Sequence, residues 1–271
     1  MKARIVLQSI AAAVAVMAAG VASATPIYPN FTVNPMGDGS GPLTGLAPFT
    51  ANDIGGQYNE QVTFVDASHF TVSLDFIAGQ MSEDDTNPSN TVTYGAGATG
   101  LGVNYNLLGI FNGAGTFSTD PSGHTTFTLT PGGDLTLTYD SGAKATFAAA
   151  GGAYTISANG DTLKTLATGT GIKGVGNETC VGNNDCGDFG QTTSFNLTPN
   201  GSAYFTAPVP FYPLSLQSGQ FEGVQVIIGT TQTSNGTLNA VFAAVPEPTD
   251  VALVGIALLG LGLAVKRRRS L

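Results

Sequence analysis

Apolar and polar residues alternate along most of the chain between residues 25 and 245, and this alternation is what most limits the possible folds. In the segment FTVSLDFIAG, every second residue from Phe70 to Phe76 is apolar and the residues between them are polar. A period of two is that of a β-strand with one buried face and one solvated face. These residues show no sustained helical periodicity, so the sequence predicts an all-β domain.

Glycine, proline and asparagine separate the alternating segments and predict the turns between them. The segment TTFTLTPGGDLTLTYDSG predicts a hairpin that turns at residues 131–134, and further turns are predicted at Asn159–Gly160 and at residues 199–201. Threonine is β-branched and suits the polar face of such strands. The simplest arrangement is a single antiparallel β-sandwich or jelly-roll-like domain over residues 25–243.

The first residues have the features of a secretory signal peptide. A positively charged start precedes an apolar stretch at residues 10–19, and the small residues Ala22 and Ala24 follow. Signal peptidase accepts such small residues at its cleavage site. We therefore predict a signal peptide, with its signal helix, over residues 1–24 and a mature chain that starts at Thr25. A short N-terminal membrane anchor is the alternative.

The last residues have three parts in a fixed order: a linker at 244–250, an apolar stretch at 251–265 and a basic cluster. The linker contains Pro246, Glu247 and Pro248, and the cluster is Lys266, Arg267, Arg268 and Arg269. At about 1.5 Å per residue, the apolar stretch is somewhat shorter than the roughly 30 Å hydrocarbon core of a bilayer. The cluster is costly to translocate and should stay cytoplasmic. We predict a transmembrane helix with a basic tail over residues 251–271; a buried core helix is the alternative.

The charge distribution excludes one class of partner. Between residues 25 and 265 the chain has three lysines, no arginine and all eighteen acidic residues, which gives this part a net charge of −15. Such a surface repels nucleic acid and anionic lipid, and it offers oxygen ligands to hard cations. The sequence therefore predicts a protein that does not bind nucleic acid.

The two cysteines, Cys180 and Cys186, are separated by five residues in the segment CVGNNDC. In an oxidising compartment this spacing predicts a small loop-closing disulfide. A metal site made by two thiolates is the alternative, although no neighbouring cysteine or histidine completes it.

Two acidic loops offer oxygen donors that suit calcium, the one cofactor the sequence suggests. The candidate ligands are Glu83, Asp84 and Asp85 in the first loop, and Asp185 and Asp188 in the second. Neither loop has the EF-hand spacing, and solvated loop charge is the alternative.

No catalytic motif is found in the sequence. His69 and His124 are the only histidines, and we expect each to be a solvated surface residue. The chain has no nucleophile elbow, zinc-protease motif, phosphate loop or dinucleotide fingerprint. A close pair of carboxylates could serve a glycosidase, but among eighteen acidic residues one such pair is expected by chance. The sequence therefore predicts a protein that is not an enzyme.

The tail VPEPTDVALVGIALLGLGLAVKRRR resembles a PEP-CTERM sorting signal, with the Thr249–Asp250 pair as a departure from the usual residues. The resemblance implies a Gram-negative bacterium that makes exopolysaccharide. It also implies an exosortase that recognises the motif in the inner membrane, cuts near it and frees the protein for the cell surface or extracellular matrix. A permanent membrane anchor would explain the helix and the charges but not the Pro-Glu-Pro motif.

The body is similar to flocculation-associated PEP-CTERM proteins. Three short motifs carry the likeness: Tyr58 and Glu60; Gly113, Gly115 and Phe117; and Phe205, Pro208, Pro210, Phe211 and Tyr212. The likeness implies retention of exopolysaccharide and cell aggregation, and it supplies no catalytic residues. The aromatic residues of YFTAPVPFY can stack on sugar rings, with ordinary packing as the alternative.

These features together predict a non-enzymatic, exported matrix protein that binds exopolysaccharide and promotes flocculation or biofilm formation. Its negative charge requires that divalent cations or hydroxyl hydrogen bonds supply the attraction to an acidic polysaccharide. A secreted polysaccharide-processing enzyme and a self-assembling surface-coat subunit are the alternatives.

Overall fold

The computed structural model describes residues 28–35, 46–83, 92–150, 153–178, 187–221 and 224–243. The strands of the first half are β1 (Phe31–Val33), β2 (Phe49–Ala51), β3 (Asp53–Phe64), β4 (His69–Glu83), β5 (Val92–Tyr94), β6 (Asn106–Thr119) and β7 (Thr125–Leu129). Those of the second half are β8 (Gly132–Ala150), β9 (Ala153–Glu178), β10 (Gly187–Ser194), β11 (Asn196–Leu197), β12 (Phe205–Ala207), β13 (Leu214–Phe221) and β14 (Thr231–Ala243). Two short helices are α1 (Ala96–Thr99) and α2 (Pro199–Tyr204).

Most strands belong to one antiparallel sheet that closes on itself. Around the ring the order is β3, β4, β6, then β7 and β8 at one shared position, then β9, β10, β13 and β14. Strand β14 pairs with β3 from Thr231 to Ala240 and so completes the ring. Each strand of this closed sheet is therefore hydrogen-bonded on both sides over part of its length.

The prediction of an all-β antiparallel fold is confirmed. The arrangement differs from the predicted sandwich or jelly roll, which has two sheets with separate edges. Here the ring strands follow one another in chain order, and the pairing of β4 with β6 and of β14 with β3 joins what would be free edges. A period of two gives the buried face of each strand but not its neighbours, so the alternation alone does not distinguish these arrangements.

The inner face of the closed sheet holds the core. The four alternate residues from Phe70 to Phe76 are each at most 7% exposed, as their alternation predicts. The inner face is not uniformly apolar, because four polar side chains of β10, β13 and β14 are also buried there: Gln191, Thr193, Ser215 and Ser234. The core is thus apolar next to β4, whereas next to β10, β13 and β14 it contains both apolar and polar side chains.

A second sheet of three strands, in the order β12, β1, β2, packs against the closed sheet through aromatic rings. The ring of Phe31 from β1 lies 5.1 Å from that of Phe242 in β14, edge to face, and 5.9 Å from that of Phe205 in β12. Edge-to-face pairs at these distances add to the stabilisation that burial provides. The aromatic cluster therefore holds the small sheet on the large one.

One part of the closed sheet extends beyond the ring. Strand β8 pairs with β6 only as far as Asp140, and the pairs that follow, from Gly142 with Gly160 to Ala150 with Ala153, join β8 to β9 alone. We call this two-stranded extension, residues 141–150 and 153–162, the arm. Its strand pairing with β6 ends where the ring ends, and the backbone N–H of Ala145 donates a hydrogen bond of 2.9 Å to the Asn106 side-chain oxygen of β6.

Candidate functional site

A groove with a volume of about 830 Å³ lies between the outer face of β3, β4 and β14 and the arm. We call it the outer groove. The sheet supplies Gly55, Gly56, Gln57, Ile77, Ala78, Gly79, Gln80, Thr237 and Asn239, and the rest of its lining is Ala96, Leu101, Gly102, Val103, Asn106, Ala145, Thr146 and Phe147. Such a volume falls in the range of small-molecule sites.

The floor of the outer groove is built by cross-strand neighbours. Gly55 of β3 pairs with Gln80 of β4 on one side and with Asn239 of β14 on the other. A methyl group at Gly55 would lie 3.0 Å from Oδ1 of Asn239 and 3.3 Å from the Gln80 side chain. Glycine at this position therefore lets the two amide side chains converge over a low floor.

The lining of the outer groove, as far as the structure describes it, has no charged side chain. Its accessible polar groups are the amides of Gln57, Gln80 and Asn239 and the hydroxyls of Thr146 and Thr237, whereas the buried Asn106 amide is hydrogen-bonded to the Asp140 carboxylate and the Ala145 N–H. Amides both donate and accept hydrogen bonds, as sugar hydroxyls do, and the apolar residues Val103 and Phe147 offer surface to the CH faces of a sugar ring. The arrangement suits a neutral ligand with many hydroxyl groups.

A second hollow region lies on the inner face of the closed sheet. Two cavities of about 50 and 60 Å³ adjoin each other, because Leu74, Phe111, Phe189 and Gln191 line both. Glu60 of β3 lines the smaller cavity. Burial raises the pKa of the Glu60 carboxyl to about 7.

The sequence motif that contains Glu60 also contains Tyr58, and both residues face inward from β3. The Tyr58 hydroxyl donates a hydrogen bond of 2.9 Å to the carbonyl oxygen of Gln220, and its ring meets Phe189 edge to face at 5.5 Å. Tyr58 is thus a core residue that joins β3 to β13. Within the described residues, no comparable hydrogen bond or packing contact accounts for a glutamate at position 60.

The predicted calcium ligands fall partly within the structure. Glu83 ends β4, where its carboxylate accepts hydrogen bonds from the Asn30 side-chain amide at 2.8 Å and the Tyr94 hydroxyl at 3.1 Å. Asp188 is exposed on β10, which is not a neighbour of β4 in the ring. The structure therefore does not bring these two carboxylates together.

The other three predicted calcium ligands, Asp84, Asp85 and Asp185, lie outside the described residues. Within the described ranges, no group of three or more His, Cys, Asp or Glu side chains is placed to hold a metal ion. The calcium site stays a prediction.

Several other predicted sites also lie outside the described residues: the signal peptide with Ala22, Ala24 and Thr25, the cysteine pair Cys180 and Cys186, the motif Pro246–Glu247–Pro248 and the basic cluster Lys266–Arg269. None of the helices that the structure describes is long and apolar enough to cross a membrane.

Each histidine lies at the end of a turn, beside an aspartate, and His69 is also the first residue of β4. His69 Nδ1 lies 2.9 Å from Oδ1 of Asp66, and His124 Nδ1 lies 3.6 Å from Oδ2 of Asp120. The backbone N–H of Ser68, followed by the His69 side chain, lowers the pKa of the Asp66 carboxyl to about 2. The side chains of the two histidines are 59% and 47% exposed, which confirms the expectation that each is a solvated surface residue.

The aromatic residues of YFTAPVPFY are mostly packing residues. Tyr204 and Phe205 are at most 1% exposed, and Phe211 packs on Phe205 with a centroid distance of 5.0 Å. The Tyr212 hydroxyl donates a hydrogen bond of 2.9 Å to the carbonyl oxygen of Asn30. Of the two interpretations, the structure therefore favours packing over a sugar-stacking platform.

Sequence reasoning missed the outer groove, because its lining comes from segments that are far apart in the chain. The inner cavity did leave a signal. Tyr58, Glu60, Val62 and Phe64 share one face of β3, so Glu60 is a charged residue in an otherwise apolar register.

Comparisons of the chain with protein-family models, curated proteins and solved structures gave no match. The function is therefore inferred from the residues and the geometry of the groove and the cavity.

Proposed function

We propose that this protein is an exported, non-enzymatic surface or matrix protein that retains exopolysaccharide and promotes cell aggregation, with the outer groove as its saccharide-binding site. The observation that carries the proposal is the lining of the groove. Uncharged amide and hydroxyl side chains lie beside apolar surface in a concavity of about 830 Å³, although the chain as a whole is strongly acidic.

The location of the protein is part of the same proposal. The signal peptide directs the chain to signal peptidase and export, and the terminal helix with its basic cluster holds it in the inner membrane of a Gram-negative cell. Exosortase then acts near Pro246–Glu247–Pro248 and releases the protein to the cell surface or matrix. Proline cannot continue a helix, so the motif is kept extended and accessible at the outer interface.

The uncharged groove supports a direct contact with neutral sugar units. A net charge of −15 between residues 25 and 265 repels an acidic polymer over distances up to the Debye length, about 10 Å at moderate salt. Calcium held between carboxylates of the protein and of the polymer offsets this repulsion. Retention of an acidic exopolysaccharide should therefore require divalent cations, whereas binding of a neutral one should not.

The test uses strains that lack the gene and are complemented with defined versions of it. The full chain should restore flocs with attached polysaccharide, whereas a chain stopped at Val245 should not. A groove variant, Gln57→Ala with Asn239→Ala, should reach the cell surface but retain much less polysaccharide.

The matched control is Thr71→Ala with Thr233→Ala, at exposed positions on the outer face of β4 and β14 that do not line the groove. It should behave as the full chain does. If the groove variant retains polysaccharide as well as this control, the groove is not the binding site. If all strains form flocs equally, the proposed role in aggregation is wrong.

A further inference from the structure

The Glu60 side chain points from β3 into a cavity whose other walls are mainly apolar. Its cross-strand neighbours are Leu74 on β4 and Ser234 on β14, and both are buried. The cavity is walled by Val62, Val72 and aromatic rings that include Phe70, Phe111 and Phe127. Glu60 itself is only partly buried, so its carboxylate loses part of its hydration, which is costly unless a partner replaces the water.

The protein supplies no cation to this carboxylate within the part that the structure describes. The cavity lining there contains no lysine, arginine or histidine, and Glu60 is its one titratable side chain. The polar side chain that accompanies Glu60 in the lining is Gln191, a neutral amide. A counter-charge for Glu60 would therefore have to come from a ligand.

The cavity is open to solvent, and its volume limits the size of the ligand. The cavity is not sealed from solvent, because Glu60, which lines it, is only partly buried. The two adjoining cavities, of about 50 and 60 Å³, are together smaller than the ~150 Å³ cavity that is known to hold benzene. They suit an apolar body about the size of a short alkyl chain.

We propose that the cavity binds a small amphiphilic amine, whose ammonium group pairs with the Glu60 carboxylate while its short apolar chain packs against Leu74 and Phe111. Three features favour a cation over a neutral molecule. The carboxylate lacks a counter-charge, aromatic rings near it attract cations through their faces, and the acidic protein as a whole draws cations toward its surface. This site is on the inner face of the sheet and is independent of the outer groove.

The experiment compares three probes of equal chain length on the purified full chain at pH 8: n-butylamine, n-butanol and butyrate. Isothermal titration calorimetry should show binding of n-butylamine at least about tenfold tighter than that of n-butanol, the factor that a modest buried charge pair of about 1.4 kcal/mol supplies. Butyrate should not bind. Affinity for the amine should fall from pH 8 to pH 5, as Glu60 takes up a proton.

Two variants separate the charge from the cavity. Glu60→Gln should bind n-butylamine no better than n-butanol, while its affinity for n-butanol, which reports an intact cavity, stays unchanged. Asp188→Asn removes the same charge at an exposed position on β10 and should leave the preference for the amine in place. Equal binding of amine and alcohol by the unmodified chain, an unchanged preference in Glu60→Gln, or no binding of n-butylamine would each overturn the proposal.

Discussion

The hydroxyl groups of Tyr105 and Tyr204 lie 2.7 Å apart and share a hydrogen bond, although 99 residues separate them in the chain. Both side chains are fully buried, and the ring of Tyr105 stacks on that of Tyr139 at 4.8 Å. Tyr105 directly precedes β6 of the closed sheet, whereas Tyr204 ends α2 and leads into β12 of the small sheet. The pair therefore ties the two sheets together at a buried polar contact.

The first prediction concerns this pair. Tyr105→Phe and Tyr204→Phe should each lower the free energy of unfolding by about 1–2 kcal/mol, because a buried hydrogen bond is lost without water to replace it. The double variant should lose less than the sum of the two. Urea unfolding of the four proteins in a double-mutant cycle measures this coupling. Tyr212→Phe is the control, since its half-buried hydroxyl can be replaced by solvent and its loss should cost less.

The second prediction concerns the contact of α2 with the closed sheet. A methyl group on Gly201 would lie 1.9 Å from the carbonyl oxygen of Leu166 in β9, so the helix can sit on this strand only with glycine there. Gly201→Ala should therefore cost roughly 2 kcal/mol or more in the free energy of unfolding, as overpacking against backbone does. Gly190→Ala, at a position with no atom within 4 Å of the added methyl group, should change stability by about 0.5 kcal/mol or less. Equal stability of the two variants would contradict the close contact.

The third prediction concerns the effect of pH on stability. The pKa of Glu60 rises from 4.5 to about 7 on folding because of burial, so the folded state holds the proton more tightly. The stabilisation that protonated Glu60 gives to the folded state is fully present below pH 4.5 and is lost as the pH rises through about 7. Glu60→Gln should therefore match the unmodified chain near pH 4 and exceed its stability at pH 8, by up to about 3 kcal/mol.

Urea unfolding at several pH values between 4 and 8 measures this difference. Asp188→Asn serves as the control for net charge, because it removes one negative charge from an exposed position. A constant difference between Glu60→Gln and the unmodified chain across this range would show that Glu60 is solvated in the folded protein.

The fourth prediction concerns the turn between β3 and β4. The carboxylate of Asp66 accepts hydrogen bonds from the backbone N–H groups of Ser68 at 2.8 Å and His69 at 2.9 Å, and it contacts the His69 ring. His69→Ala should raise the pKa of Asp66 above about 2 but should not restore its ordinary value, because the Ser68 N–H is the larger cause. An NMR titration of the carboxyl carbon of Asp66 measures this shift. Polysaccharide retention should be unchanged in the same variant, because His69 has no role in the proposed binding.

The sequence predicted the alternating strands but not their partners, and two predicted turns were wrong: Asn159–Gly160 lies inside β9, and residues 199–201 begin α2. The alternation from Phe70 to Phe76 correctly gave the buried face of β4, since burial on one face of a strand enforces that period. The ring closure between β14 and β3 joins residues about 170 positions apart, for example Thr63 and Thr231, and no local pattern encodes such a pairing. A ring and a sandwich can therefore share one strand pattern.

The two candidate sites also differ in how far the sequence alone predicts them. Glu60 interrupts the apolar residues on the inner face of β3, so the sequence alone contains a signal for it. The outer groove instead depends on Gly55 lying between Gln80 and Asn239, which follows from strand register alone. The aromatic residues around Phe205 were ambiguous in the sequence, because rings that pack in a core and rings that stack on sugars have the same composition.

Strand β14 has a mechanical consequence for the adhesion that we propose. Its residues Thr237 and Asn239 line the outer groove, and the chain leaves the closed sheet at the end of this strand, Ala243, toward the C-terminal tail. As far as Ala240, β14 pairs with β3 on one side and with β13 on the other, and from Val241 to Ala243 it pairs with β13. Tension between a polymer in the groove and the tail would thus run along one strand and load its pairing in shear, with β3 and β13 both sharing the load as far as Ala240 and β13 carrying it beyond that residue, instead of one bond yielding at a time.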